Sequence, residues 1–400
     1  MQEKNDFFSD KALPDNLKVP LDYSLLAPGP VNLHPLVLKA LALPMIHHRT
    51  PLFDKTLKRV LLGLKKIFQT EQDVYILTST GSGGMESLVV NPLAPKDKVI
   101  CIISGKFGER WAEMAEVFGC EVIKVEVPWG QVADPKVIQN ILSKEKNIKA
   151  VLCQACETST AAAHPLKELG AVIAAHPQTL FLVDGITAVG AYPIPMDEWQ
   201  IDGLVAGSQK AFMLPTGLSF VSFSAKAWQV IENNPTPRFY FDIRREKKAN
   251  RGGETYFSSN VSLIRALDVV LQLWEQTGLD QHFREVHERA NFVRHMSQKL
   301  GFTLYAQSPS DSVTSLNVHP GADGQKMRLH LEEKYNITIM GGQDQAKGKI
   351  LRIGHMGYIQ EKNQLDLMEK LYLTVQEMTS YPLPDLQVFL QECRQQWQKK

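Results

Sequence analysis

The sequence predicts an α/β protein: a large unit with a mostly parallel seven-stranded sheet sandwiched by helices, then a smaller C-terminal α+β unit. Two observations predict the large unit. From residue 74 to about residue 225, seven short apolar runs alternate with segments of helical spacing, as βαβ units do. The runs are almost unbroken in apolar residues, which fits strands covered on both faces. A third observation predicts the second unit: after Tyr256 the texture changes to long helical segments with two short strand candidates among them.

Taken in order, residues 1–24 are polar, carry Pro14 and Pro20, and read as an arm. Leu26-Ala27-Pro28-Gly29-Pro30-Val31 is a tight turn. Residues 53–68 place Phe53, Leu57, Val60, Leu61, Leu64, Ile67 and Phe68 at helical spacing with one buried face. The strand candidates are 74–77, 99–103, 122–125, 151–153, 180–183, 204–206 and 218–223, with helices at 107–118, 135–142 and 165–175 between them. The large unit spans 25–280 and the small one 281–400, with helices at 261–274, 281–300 and 364–378 and strands at 315–318 and 350–353. Leu386, Phe389, Leu390, Cys393 and Trp397 form the apolar stripe of a last helix, read as docked on the body.

Four hundred residues suffice for two or three cores. The 44 basic residues are offset by 43 acidic ones, so there is no electrostatic case for nucleic acid or an anionic membrane. The N-terminus lacks the apolar core of a signal peptide, and no apolar run approaches bilayer-spanning length. The expectation is a cytoplasmic protein. Five cysteines, an odd number scattered through apolar runs, read as buried thiols in a reducing compartment. Cys153 and Cys156 form a C-x-x-C, but no second pair completes a metal site, and no metal is expected.

Three features, a lysine, an acid and a glycine turn, carry the cofactor chemistry, and an arginine suits the substrate. Lys210 sits in Gly207-Ser208-Gln209-Lys210-Ala211-Phe212-Met213, and a Lys in apolar company is unusual. Burial lowers an ammonium pKa, and a neutral amine is a nucleophile able to form a Schiff base. Asp184 ends the run Phe181-Leu182-Val183-Asp184; alone it would be a cap or turn residue. Thr80-Gly81-Ser82-Gly83 follows another run and reads as a phosphate cradle at a helix N-terminus. Lysine, acid and cradle are the contacts that pyridoxal phosphate needs. Gly81, Ser82, Gly83, Thr158, Asp184 and Lys210 all follow apolar runs, so they gather at the carboxyl edge of the sheet. Arg352, in Leu351-Arg352-Ile353-Gly354, has the planar fork that suits a carboxylate; alone it would equally be a structural ion pair.

From Leu26 to Tyr372 the chain resembles the class V aminotransferases (fold type I, pyridoxal phosphate), in particular the alanine–glyoxylate and serine–pyruvate or serine–glyoxylate branch. The resemblance rests on Ala27-Pro28-Gly29-Pro30-Val31-Asn32, Thr80-Gly81-Ser82-Gly83, Gly105-Lys106-Phe107-Gly108-Glu109-Arg110 and Glu157-Thr158-Ser159-Thr160. It continues in Val183-Asp184-Gly185, Gly207-Ser208-Gln209-Lys210, Ile339-Met340-Gly341-Gly342 and Leu351-Arg352-Ile353-Gly354. It implies Lys210 as Schiff-base lysine and Asp184 as partner of the pyridinium nitrogen. Gly81, Ser82, Gly83 and Gln209 would bind phosphate, Phe107 would stack on the ring, and Thr158 would contact cofactor or substrate. Gly29 and Arg352 would contact substrate, the Arg352 guanidinium holding the substrate carboxylate. Thr255 and Ser258 would reach the phosphate of a neighbouring subunit, which implies a homodimer with shared sites. Phe107 stands where relatives often have Trp, Gly84 where a bulkier residue is frequent, and Ala161 where Gly is usual. The implied activity moves an amino group from alanine or serine to glyoxylate or pyruvate. Alternatives are a ureidoglycine–glyoxylate aminotransferase, a lyase of the same family, which needs a cysteine on a mobile loop, and a non-catalytic cofactor-binding protein.

Overall fold

The computed structural model describes residues 19, 20 and 22–398. The arm assigned to residues 1–24 therefore lies largely outside the described residues.

The chain enters through β1 (Ser24–Leu25), α1 (Pro35–Leu41) and α2 (Pro51–Phe68). Local chemistry sets α2: the Thr50 hydroxyl accepts from the Phe53 amide, Pro51 occupies the first turn, and Gln69 ends the helix in the left-handed region at φ 49°. Its buried stripe is Phe53, Leu57, Val60, Leu64, Ile67 and Phe68, each side chain contributing about 1.5–3 kcal/mol on burial.

The central sheet then forms from β2 (Val74–Leu77), β3 (Lys98–Ile103), β4 (Glu121–Glu126), β5 (Ile148–Gln154), β8 (Leu180–Asp184), β9 (Gly203–Gly207) and β10 (Ser219–Phe223). Its order is β2-β10-β9-β8-β5-β3-β4. The pairs β9–β8, β8–β5, β5–β3 and β3–β4 are parallel. Only β10 reverses, running antiparallel to β2 and β9, so β2 points the same way as the parallel set. All seven strands fall where the apolar runs predict them. The edge strand β4 differs in texture: Glu121, Lys124 and Glu126 leave it partly exposed, and such charges discourage pairing with another chain.

Side chains alternate between two cores. Val151, Cys153, Phe181 and Val183 face one, with α2 and the helices α5 (Pro135–Lys144), α6 (Leu166–Ala174) and α9 (Val261–Thr277). Ala150, Leu152, Leu180 and Leu182 face the other, with α3 (Gly81–Val90), α4 (Lys106–Val117), α7 (Ala225–Asn233) and α8 (Ile243–Arg251). A small hairpin, β6 (Cys156–Glu157) with β7 (Ala162–Ala163), follows β5.

A third core is built from α10 (Leu279–Lys299), α11 (Gly324–Tyr335), α12 (Glu361–Met378) and α13 (Leu386–Gln398). These helices pack on the sheet of β11 (Thr303–Leu304), β12 (Val313–Asn317), β15 (Ile350–Gly354) and β14 (Met340–Gly341). In α13, Phe389 and Cys393 are buried, as the docked-helix reading expects. The sequence gives no sign of one feature: β1 pairs in parallel with β13 (Ile337–Thr338), and Leu26 is buried in the third core. Among the described residues no helix is long and apolar enough to cross a membrane.

Candidate active site

The parallel strands all end on one side. β2 leads to Gly81, β3 to Phe107, β5 to Glu157 and Thr158, β8 ends in Asp184, and β9 leads to Lys210. Register makes the edge flush: Gln154 opposes Asp184, and Asp184 opposes Val205. The predicted gathering of these residues along one sheet edge is what the topology delivers.

Ser208 shapes the loop that carries Lys210. Its hydroxyl donates to the Pro215 carbonyl at 2.7 Å and accepts from the Leu218 amide at 3.1 Å, while its carbonyl accepts from the Leu214 amide. The Lys210 Nζ donates to the Pro28 carbonyl at 2.9 Å. The lysine is only half-buried. Even so, desolvation, aided by the nearby Arg352 guanidinium, brings the ammonium pKa down to about 8. Gly29 lies against this side chain: a Cβ there would be 2.5 Å from Nζ.

Asp184 is 5% exposed, and its Oδ1 accepts from the Ile186 amide at 2.9 Å. Burial pushes its pKa up to about 6, against the opposing pull of Lys210 and Arg110. Among the described residues this amide is the sole hydrogen-bond partner of the carboxylate.

The predicted glycine turn is itself the first turn of α3, with Thr80 as N-cap making no side-chain hydrogen bond. Its first amides are left for another acceptor, and the helix N-terminus favours an anion. The backbone is close-packed here, since a Cβ on Gly81 would approach Ile186 Cδ1 to 2.7 Å. Arg110 adds a cation: it donates to Ser82 Oγ at 3.3 Å and lies over the Phe107 ring at 4.9 Å. Gln209 Oε1 is buried without a partner among the described residues.

Thr158 shares a 2.7 Å hydrogen bond with Thr187, hydroxyl to hydroxyl, and its carbonyl accepts from Arg352 at 2.9 Å. Arg352 also donates through Nε to the Gly341 carbonyl at 2.9 Å. Two backbone acceptors thus orient a guanidinium that has no carboxylate partner among the described residues, and burial lowers its pKa to about 10. Among the described residues Arg352 forms no ion pair of the structural kind.

Thr255 and Ser258 make no hydrogen bond to this cluster among the described residues. Thr255 is buried and donates to the Phe257 carbonyl at 2.8 Å, while Ser258 is exposed. Their segment stays close to the end of β2, because Phe257 stacks on Tyr240, whose hydroxyl donates to the Thr78 carbonyl.

Ser208, Thr187, Arg110 and Glu157 are parts of this site to which the sequence reading gives no role. The Pro28 and Gly341 carbonyls carry no side-chain signal by which to find them. The polar groups fit pyridoxal phosphate: uncapped amides for a dianion, a buried carboxylate with one partner for a ring N–H, and a buried amine with a lowered pKa.

The sequence profile of the class V aminotransferases matches residues 37–367. The L-aspartate–glyoxylate aminotransferase of Paracoccus denitrificans is 36% identical over 341 residues, 83% of this chain and 86% of that one. The serine–glyoxylate aminotransferase of Methylorubrum extorquens is 33% identical over 357 residues, 86% and 88% of the two chains. Among solved structures, the alanine–glyoxylate aminotransferase of a Nostoc species superposes with a TM-score of 0.86 at 27% identity, covering 93% of this chain and 99% of that one. The ureidoglycine–glyoxylate aminotransferase of Bacillus subtilis does so with a TM-score of 0.88 at 27% identity, covering 95% and 99%. With its sheet order, its carboxyl-edge cluster and this match over most of its length, the chain belongs to the class V aminotransferases, enzymes of fold type I that use pyridoxal phosphate.

Proposed function

We propose that this enzyme transfers an amino group from a small amino acid, alanine or serine, to glyoxylate or pyruvate, with Lys210 as the residue that carries the cofactor. The supporting observation is the convergence at one sheet edge of a buried amine of lowered pKa, a buried carboxylate and a carbonyl-oriented arginine without an acidic partner. Glyoxylate is the acceptor common to the four relatives named above, whereas their donors differ.

When bound, pyridoxal phosphate supplies the electron sink that stabilises negative charge on the substrate α-carbon. The protein does the rest. Gly81, Ser82, Gly83 and Gln209 bind the phosphate through amides and the side chain of Gln209. Asp184, as a carboxylate, keeps a proton on the ring nitrogen. Phe107 would stack on the ring of the bound cofactor, and Thr158 would contact cofactor or substrate. Arg352 clamps the substrate carboxylate with the nitrogen its backbone partners leave free, and Gly29 lets substrate pass close to Lys210. With pyridoxal phosphate bound, the Lys210 amine would hold the cofactor and would serve as the base that takes the substrate α-proton and the acid that gives it back.

The active form is read as a cytoplasmic homodimer in which Thr255 and Ser258 reach the phosphate of the partner's site. A second reading, ureidoglycine as donor, is favoured by the similarity to the Bacillus subtilis structure. Sulfur chemistry is disfavoured because all five cysteines are buried, Cys393 inside the third core with its thiol pKa raised by burial.

The test is the visible absorption of the purified enzyme during titration with alanine, serine, aspartate and ureidoglycine. The reading expects alanine or serine to shift the cofactor band to the pyridoxamine form and glyoxylate to restore it. A band that ignores every donor, or no band after adding pyridoxal phosphate, overturns it.

A further inference from the structure

We infer that Glu157 is a positioning residue for Phe107: its carboxylate, presented by β6, is the N-terminal cap of α4 and fixes the ring that meets the cofactor. The inference rests on the reading that Phe107 stacks on the cofactor ring.

Helix α4 begins without a cap of its own. Its N-cap is Gly105, which has no side chain to receive the first-turn amides. The acceptors come from another segment. Ser159 Oγ accepts from the Lys106 amide at 3.1 Å. The Glu157 carboxylate accepts from the Phe107 amide at 3.3 and 3.2 Å and from the Gly108 amide at 3.0 Å. Three successive amides of the first turn are thereby satisfied from the β6 hairpin.

Glu157 is fully buried, and its remaining partners, the Ser159 amide and hydroxyl, also donate to it. Every partner is a donor, so the arrangement calls for an acceptor-only carboxylate. A buried charge of this kind is costly unless fully hydrogen-bonded, and the helix N-terminus adds a favourable field. The missing local cap is also what admits this one: a Cβ on Gly105 would sit 2.7 Å from the Glu157 carboxyl carbon.

The consequence concerns the ring. The Phe107 amide is itself bonded to Glu157, so the origin of its side chain is fixed relative to β6. The residue after Glu157 is Thr158, whose carbonyl holds Arg352. One short segment therefore sets both the aromatic platform and the arginine fork.

The experiment is a double-mutant cycle on the apoprotein. Wild type, Glu157→Gln, Phe107→Ala and the double variant are titrated with pyridoxal phosphate, reading fluorescence quenching and the visible circular dichroism of the bound cofactor. Thermal unfolding of each apoprotein checks the fold. Phe107→Ala should weaken binding by roughly 10-fold, the scale of a lost ring stack. Glu157→Gln should weaken it by a similar factor and change the visible dichroism, yet cost less than about 2-fold when Phe107 is already Ala. Equal losses in both backgrounds, or unchanged dichroism in Glu157→Gln, overturn the inference. If Phe107→Ala leaves affinity and dichroism unchanged, the stacking reading itself fails, a distinct result. Should Glu157→Gln fail to fold, Ser159→Ala tests the same cap, with a smaller loss that again disappears without Phe107.

Discussion

The Lys210 amine is held by the backbone carbonyl of Pro28 at 2.9 Å, and Gly29, the next residue, is pressed against the lysine side chain. Gly29 has φ 133°, in the region that favours glycine. A Gly29→Ala variant puts a methyl group 2.5 Å from Nζ, too close for the lysine to keep its place. Amino transfer should fall by roughly 100-fold, the scale of a misplaced reactive group. Backbone strain should cost only about 1–3 kcal/mol, so the fold survives. Steady-state kinetics beside thermal unfolding separates the two effects; full activity would dismiss the proposed role of this contact.

Lys210→Ala should abolish turnover while leaving the sheet intact. The chemistry needs the amine both to carry the cofactor and to move the proton. Single-turnover assays with alanine and glyoxylate provide the check, and turnover at the wild-type rate would sink the mechanism.

The pH dependence of the free amine has a definite sign. Its pKa of about 8 means that capture of pyridoxal phosphate by the apoprotein should speed up with an apparent midpoint near that pH. Arg352 is one cause of the lowering, so Arg352→Gln should move the midpoint upward. Stopped-flow absorbance across pH 6–10 measures both; a midpoint unmoved or lowered in the variant contradicts the assignment.

Asp184 sets function against stability. Its folded pKa of about 6 lies above the ordinary 3.8, so its favourable contribution holds below the ordinary value and is lost as pH rises through about 6. The Asp184→Asn apoprotein should therefore be more stable than wild type at pH 8, by at most about 3 kcal/mol, and should lose that advantage below about pH 4. Its amino transfer should collapse over the same range. Denaturant unfolding of both apoproteins at pH 4 and pH 8 decides the matter.

Arg352→Ala should act mainly on KM. Losing a charge-assisted clamp worth about 1.5–3 kcal/mol corresponds to roughly a 10- to 100-fold rise for the oxo acid. A drop in kcat with KM unchanged would place Arg352 elsewhere in the reaction.

Six of the seven strands are legible in the sequence because both their faces are covered, which leaves near-continuous apolar runs; the partly exposed β4 is read from Val122, Ile123 and Val125. Lys210, Asp184 and Gly81 stand out because each follows such a run. Other parts leave no local trace. β1, β13 and β14 have two residues each, too few for any period, and exist only through their partners. Helix α8 buries just Ile243 and Glu246, so it has no apolar stripe to read. The capping by Glu157 depends on a glycine in a different segment, a relation that neither residue announces.

Chain connectivity gives the Pro28 contact a further meaning. Leu26 is stitched to the small unit on both sides: its amide donates to the carbonyl of Thr338 in β13 at 2.9 Å, and its carbonyl accepts from the amide of Gly354, at the end of β15 in the smaller sheet, at 2.7 Å. The acceptor for the lysine amine thus rides on the smaller sheet, whereas the amine rides on the larger one. A sliding displacement between the two sheets would load that hydrogen bond directly, which makes the cofactor-free lysine a strain gauge between them.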